Sequence, residues 1–239
     1  MSPTPASQKV AIVTGASGGI GAGMVDAFRA AGYAVVGTAR SMPSSDDPDF
    51  LTVDGDLAHA QTAQRVVEQT LDRFGRIDTL VNMAGIFVSK PFTDYTVEDY
   101  AAITAVNLTG FFHMTQRVIT QMVDQGRGHV VNISTSLVDH ADSKRPSALA
   151  ALTKGGLAAV TRSLAIEYAS SGIRVNAVAP GVIMTPLHDP ASYAGLDALH
   201  PLGRVGQVDD VVDGILYLEQ APFVTGVVLH IDGGQAAGQ

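Results

Sequence analysis

Cysteine is absent from this chain, and so is tryptophan. Without cysteine there is no disulfide framework and no thiolate-based metal or redox site. Basic residues are scarce: 15 Lys and Arg stand against 23 Asp and Glu, for a formal net charge of −8. No cluster of them offers a footprint for nucleic acid or an anionic membrane. Apolar runs never reach the ~18 residues of a membrane span, and residues 1–9 lack the basic and apolar blocks of a secretory leader. The expectation is a cytoplasmic protein that acts on a small molecule, with no nucleic-acid or membrane partner.

What is present is apolar material in short, regularly spaced runs. The chain is 46% hydrophobic and 16% charged, with a mean hydropathy of +0.21. Such a balance suits a parallel sheet covered on both faces, and it predicts that some apolar helix surface is shared in a homo-oligomer, a dimer or a tetramer. β-branched runs at 10–13, 34–38, 50–53, 79–82, 129–133, 174–179 and 227–231 alternate with helical patterns beginning near Ile20, Ala58, Val97, Pro146 and Val208. Alternation of this kind is the mark of βαβ units. It predicts an α/β fold: a Rossmann-type, doubly wound, parallel seven-stranded sheet with helices on both faces. A single domain over 9–239 follows a flexible tail at 1–8. One long stretch, 182–203, carries Pro186, Pro190, Gly195 and Pro201 and fits neither pattern; it is expected to be a substrate lid.

The first strand runs into Thr14-Gly15-Ala16-Ser17-Gly18-Gly19-Ile20-Gly21 and then an apolar-faced helix with Met24, Val25 and Phe28. A dinucleotide's pyrophosphate needs close backbone approach and aimed N–H groups, and glycines before a helix N-terminus supply both. Gly15, Ser17, Gly19, Ile20 and Gly21 are therefore candidate cofactor contacts.

The chain resembles the short-chain dehydrogenase/reductase family over essentially its whole length. The Thr14–Gly21 segment is similar to that family's T-G-x-x-x-G-x-G loop. Asp56-Leu57 resembles the pair that holds the adenine ring, and Asn82-Met83-Ala84-Gly85 resembles the N-N-A-G turn with one residue changed. Asn107 matches the asparagine of N-x-x-G. Pro180-Gly181, with Ile183 and Thr185 after it, resembles the segment at the nicotinamide end. Pro201-Leu202-Gly203-Arg204 and Ile231-Asp232-Gly233-Gly234 also fit.

The end of the second strand bears on which nicotinamide cofactor is taken. NAD needs a carboxylate for its ribose 2′-hydroxyl, and NADP needs a cation for its 2′-phosphate. Gly37-Thr38-Ala39-Arg40-Ser41 offers Arg40 and no acid, so NADP(H) is favoured over NAD(H).

The resemblance implies an oxidoreductase acting on a carbonyl, alcohol or imine. In that family a tyrosine exchanges a proton with the substrate oxygen, a lysine four residues on lowers its pKa and holds the ribose, a serine positions the oxygen, and the helix asparagine supports a relay water. Here Lys154 is present, but the tyrosine position holds Ala150, and no tyrosine lies between Tyr100 and Tyr168. Asn107, Ser136 and Lys154 are the candidate catalytic residues. The hydroxyl is either Thr135, by strand register, or Ser136, by spacing from Lys154. Substitute proton donors are His140, Ser143, Ser147, His188 and Tyr193, or water in the space that Ala150 leaves. The missing phenol also allows a catalytically silent module that senses NADP(H) or another ligand.

Overall fold

A computed structural model describes residues 8–185 and 195–238. In β1 (Val10–Thr14) every residue is buried, and successive side chains enter different cores. Val10 and Ile12 join one apolar cluster, while Ala11 and Val13 join another. The two-residue period of a strand thus feeds two layers of helices at once, which is why the run lacks polar alternation.

The remaining strands are β2 (Ala34–Ala39), β3 (Phe50–Asp54), β4 (Thr79–Asn82), β5 (Gly128–Ile133), β6 (Ile173–Pro180) and β7 (Val228–Ile231). Together they form a seven-stranded sheet of order β3-β2-β1-β4-β5-β6-β7, and every pairing is parallel. Each expected strand is present. α1 (Gly19–Ala30) and α6 (Val208–Gln220) supply the helical side of one core. α2 (Ala60–Phe74), α4 (Phe111–Gln125) and α5 (Ala148–Glu167) supply the other.

Two expected helix starts move. The pattern near Ala58 becomes helical only at Ala60, because the Asp56 carboxylate first accepts the Ala58 N–H in a tight turn. The one near Pro146 begins at Ala148, with Ser147 still outside helical geometry. The helix expected from Val97 is present as α3 (Val97–Thr104), started by a capping box between Thr96 and Asp99. It continues without a break through a π segment, Ala105–Gly110, into α4. The predicted tail 1–8 falls almost wholly outside the described residues, as does part of the predicted lid, 186–194.

At the N-terminal ends of the strands, away from the glycine turn, lies a buried polar cluster. Glu219 accepts hydrogen bonds from the Tyr33 hydroxyl at 2.8 Å, Thr79 Oγ1 at 3.0 Å and His129 Nδ1 at 2.7 Å, and pairs with Lys9 at 3.3 Å. Asn176 Nδ2 lies 3.1 Å from His129 Nε2 and donates to it, which leaves the ring proton on Nδ1, facing Glu219. Burial pushes the imidazole below its ordinary range, against the opposing hydrogen bond and charge of Glu219. Burial would raise the Glu219 carboxyl, but the hydrogen bond and charge of His129, the hydrogen bond from Tyr33 and the charge of Lys9 outweigh it and hold it at about 2.

Glu219→Ala leaves these donors unpaired and is expected to cost about 3–5 kcal/mol of folding free energy, read by urea denaturation. The carboxyl's folded value lies below its ordinary 4.5. Its contribution is therefore fully present above that value and is lost as pH falls through about 2. Melting temperatures taken across that window should fall more steeply for the wild type than for Glu219→Gln.

Candidate active site

Strand order turns around between β1 and β4, so the loops at their C-terminal ends diverge and leave a crevice. The Thr14 hydroxyl closes its floor. Its oxygen accepts the N–H groups of Met83 at 3.0 Å and Ala84 at 2.9 Å, and it donates to the Val81 carbonyl at 3.4 Å. This clamp presses the β1–α1 turn against the β4 turn so tightly that side chains do not fit. A Cβ on Gly15, whose φ is +68°, would lie 3.1 Å from the Ala84 backbone. One on Gly21 would lie 2.1 Å from the Gly15 carbonyl oxygen.

Above the turn runs a groove of about 1090 Å³ lined by Gly15, Ser17, Gly19, Ile20, Gly21, Arg40, Asp56, Leu57, Ala84 and Gly85. α1 opens into it with Gly18 at its N-cap, no capping side chain and no acid in its first turn. Its positive end is thus available to an anion. A Cβ on Gly18 would meet nothing within 4 Å, so that part of the cradle is open. The bare turn, the uncapped helix and the length of the groove fit a dinucleotide diphosphate. Arg40 stands exposed at the end of β2 and forms no hydrogen bond or ion pair among the described residues. Asp47, in the loop between β2 and β3, is paired with Arg29.

The groove continues into a smaller pocket of about 210 Å³. Ile20, Met83, Gly85, Ile86 and Thr185 line both, so the two spaces are one. Phe87, Ile133, Leu137, Val182 and Ile183 give the pocket apolar walls. Its polar groups are few and convergent, the usual make-up of a small-molecule site. They include Thr135, Ser136, Lys154, Gln235 and, on the wall, Arg145. Ala150 lines it one turn before Lys154 on α5 and is 3% exposed.

Lys154 Nζ donates to the Ile133 carbonyl at 2.9 Å. Desolvation lowers its pKa to about 8, and no other cause contributes. The side chain reaches toward the β4 turn closely enough that a Cβ on Gly85 would lie 2.9 Å from Nζ. Asn107 sits in the π segment and is buried. Its amide accepts from Ile86 N at 2.9 Å and donates to Ile86 O at 3.1 Å and Thr153 Oγ1 at 3.2 Å. Asn107 thus holds the segment that joins groove to pocket, a use consistent with the frequency of π segments at functional sites.

The two hydroxyls differ. Ser136 is 1% exposed and its Oγ donates to Gln235 Oε1 at 2.8 Å. Thr135 is half-buried, and its Oγ1 accepts from Leu137 N at 3.3 Å, which leaves its own proton unspent among the described residues. Pro180, Gly181, Ile183 and Thr185 come to the pocket as expected from their place after β6. The Asn82 side chain does not reach the groove. It is buried and donates to Thr115 Oγ1 at 2.8 Å and Asn132 Oδ1 at 2.9 Å, so it ties β4 to α4 and β5. His140, Ser143 and Ser147 do not line the pocket; His188 and Tyr193 lie outside the described residues. Sequence reasoning missed Gln235 and Arg145. Gln235 directly follows the closing Gly233-Gly234, and Arg145 stands between Lys144 and Pro146 in its loop, but neither pattern by itself marks a pocket.

Residues 15–236 match the family model described as enoyl-(acyl carrier protein) reductase. The chain belongs to the short-chain dehydrogenase/reductase family of NAD(P)-dependent oxidoreductases. It is 35% identical over 245 residues to the 3-oxoacyl-(acyl-carrier-protein) reductase of Thermotoga maritima, covering 95% of this chain and 97% of that protein. The 3-ketoacyl-(acyl-carrier-protein) reductase of Brucella melitensis, solved with NADH, superposes with a TM-score of 0.88 at 31% identity, over 95% of this chain and 98% of the other. The solved structure of ElxO with NADP bound gives a TM-score of 0.88 at 29% identity, over 97% of this chain and all of the other, 100%.

The lowered pKa of Lys154 has a consequence for stability. A lysine whose folded pKa lies below its unfolded value of 10.5 holds fewer protons when folded, so stability rises as pH climbs from about 8 toward 10.5. Denaturant titrations of the ligand-free protein should show this rise for the wild type and not for Lys154→Met.

Proposed function

We propose that this protein is an NADP(H)-dependent reductase of a small carbonyl compound that works without a catalytic tyrosine. The observation that carries this reading is the continuity of groove and pocket through Gly85 and Ile86. The α1 N-terminus would hold a dinucleotide's diphosphate, and the shared lining at Gly85 and Ile86 would lead from it to the pocket that holds Lys154 and Thr135. Bound NADPH supplies the hydride. Arg40, without a side-chain partner among the described residues, would hold the 2′-phosphate, and Asp56 and Leu57 would flank the adenine end.

The position that the family gives to tyrosine is Ala150, and the chain's own residues must then supply the proton. Lys154 is the protonated group of the pocket nearest in chemistry to that task, with a pKa of about 8 and one of its protons on Ile133. Its ammonium gives a proton, through a water in the space beside the Ala150 methyl, to the oxygen of the carbonyl under reduction, and is reprotonated from solvent. Thr135, rather than Ser136, donates the hydrogen bond that holds this oxygen, because the Ser136 proton is committed to Gln235.

The test is NADPH oxidation across a panel of aldehydes, ketones and imines. The wild type should turn over at least one class, with kcat/KM falling about tenfold per pH unit above ~8 as Lys154 loses its proton. Lys154→Arg keeps the charge but cannot release a proton, so kcat should drop by about 10²–10³ while NADPH affinity changes far less. Arg40→Glu should reverse the preference for NADPH over NADH. Binding of NADPH with no turnover of any substrate would instead favour a silent sensing module.

The assembly is proposed to be a homo-oligomer, a dimer or tetramer. Its support is the apolar surface of α3, α4 and α5, where Val97, Phe112, Leu152 and Ile166 are 54–79% exposed. Light scattering should give a mass that is a multiple of 24.8 kDa; a monomer would overturn it.

A further inference from the structure

One charged side chain on the pocket wall is used by nothing so far described. Arg145 lies in the loop before α5 and lines the pocket beside Leu137 and Lys154. Its position is fixed from several sides. Arg145 N donates to the Asp142 carbonyl at 3.1 Å, Asp142 Oδ1 accepts Lys144 N at 2.9 Å, and Ser89 Oγ donates to the Pro146 carbonyl at 2.8 Å. The guanidinium itself forms no hydrogen bond or ion pair among the described residues. Among the described residues no carboxylate lines the pocket; its only charges are Arg145 and Lys154, both positive.

An unpaired guanidinium on a half-buried apolar wall loses hydration without gaining a partner. A ligand anion would supply the missing partner. Its planar fork of donors matches a carboxylate in two parallel hydrogen bonds. Resting on the reductase reading above, we infer that Arg145 is a specificity-determining residue that binds the carboxylate of an apolar oxo acid. Lys154 and Thr135 then face the carbonyl while Phe87 and Val182 cover the hydrocarbon part.

The experiment uses the full-length protein loaded with NADP+ and four probes of one chain length: 2-oxohexanoate, 5-oxohexanoate and their methyl esters. Calorimetry reads binding, and NADPH oxidation in parallel mixtures reads chemistry. At least one acid is expected to bind ten or more times tighter than its ester. Arg145→Gln should reduce that acid to the affinity of the ester and leave the ester unchanged, and Arg145→Lys should restore part of the difference. Equal binding of acids and esters, no binding of any probe, or an Arg145→Gln variant that keeps the acid preference or weakens both forms alike overturns the proposal. Failure to oxidise NADPH while the Arg145-dependent acid preference persists counts against the reductase reading and leaves the anion subsite standing.

Discussion

Two backbone N–H groups, those of Met83 and Ala84, end on the single hydroxyl oxygen of Thr14, and the rest of the site follows from that clamp. It fixes the C-terminal ends of β1 and β4 at the place where the strand order reverses. Gly15 then has to pass under Ala84, and Gly21 has to sit against the Gly15 carbonyl, with no room for a Cβ at either. The same contact aims α1 at the groove and carries Gly85 to the ammonium of Lys154. The glycine-lined groove and the pocket that holds Lys154 are thereby set in one frame.

Within that frame the chain accepts an electrostatic cost. Among the described residues Lys154 is desolvated with only the Ile133 carbonyl as its side-chain partner, and the protein is less stable for it below about pH 8. Arg145 adds to the same small cavity a second cation, one without a side-chain partner among the described residues. On the proposed reading both costs would be offset by ligands: ribose hydroxyls or a substrate oxygen at Lys154, a carboxylate at Arg145. The opposite end of the sheet follows the reverse rule. There Glu219 is surrounded by donors and satisfied within the protein, so its buried charge stabilises the fold.

Most of the fold was legible in the sequence because the sheet is buried on both faces. Continuous β-branched runs such as Val10–Thr14 have no other stable home in a chain of alternating helices, and the glycine turn marks the switch point. The π segment was not legible, since Ala105–Gly110 has ordinary helical composition and its geometry comes from the Asn107 contacts with Ile86 and Thr153. Site residues divided along the same line. The glycines of the Thr14–Gly21 turn could be read from their place between a strand and a helix, and Lys154 from the resemblance to the family. Asn82 could not, because sequence position cannot tell an amide facing the groove from one facing Thr115 and Asn132. Choosing between Thr135 and Ser136 required knowing that Gln235, nearly a hundred residues on, accepts the serine proton at a separation of |i−j|=99.

The central claim is that reduction proceeds in this pocket without a phenol, with Lys154 as the source of the proton. Its most direct test compares wild type with Ala150→Tyr at saturating NADPH on the same carbonyl substrate. The account predicts turnover by the wild type, with the variant no faster because a tyrosine side chain fills the space that the relay water and substrate occupy. Activity that appears only in Ala150→Tyr would contradict it and mark the natural protein as a binding module whose chemistry has been lost.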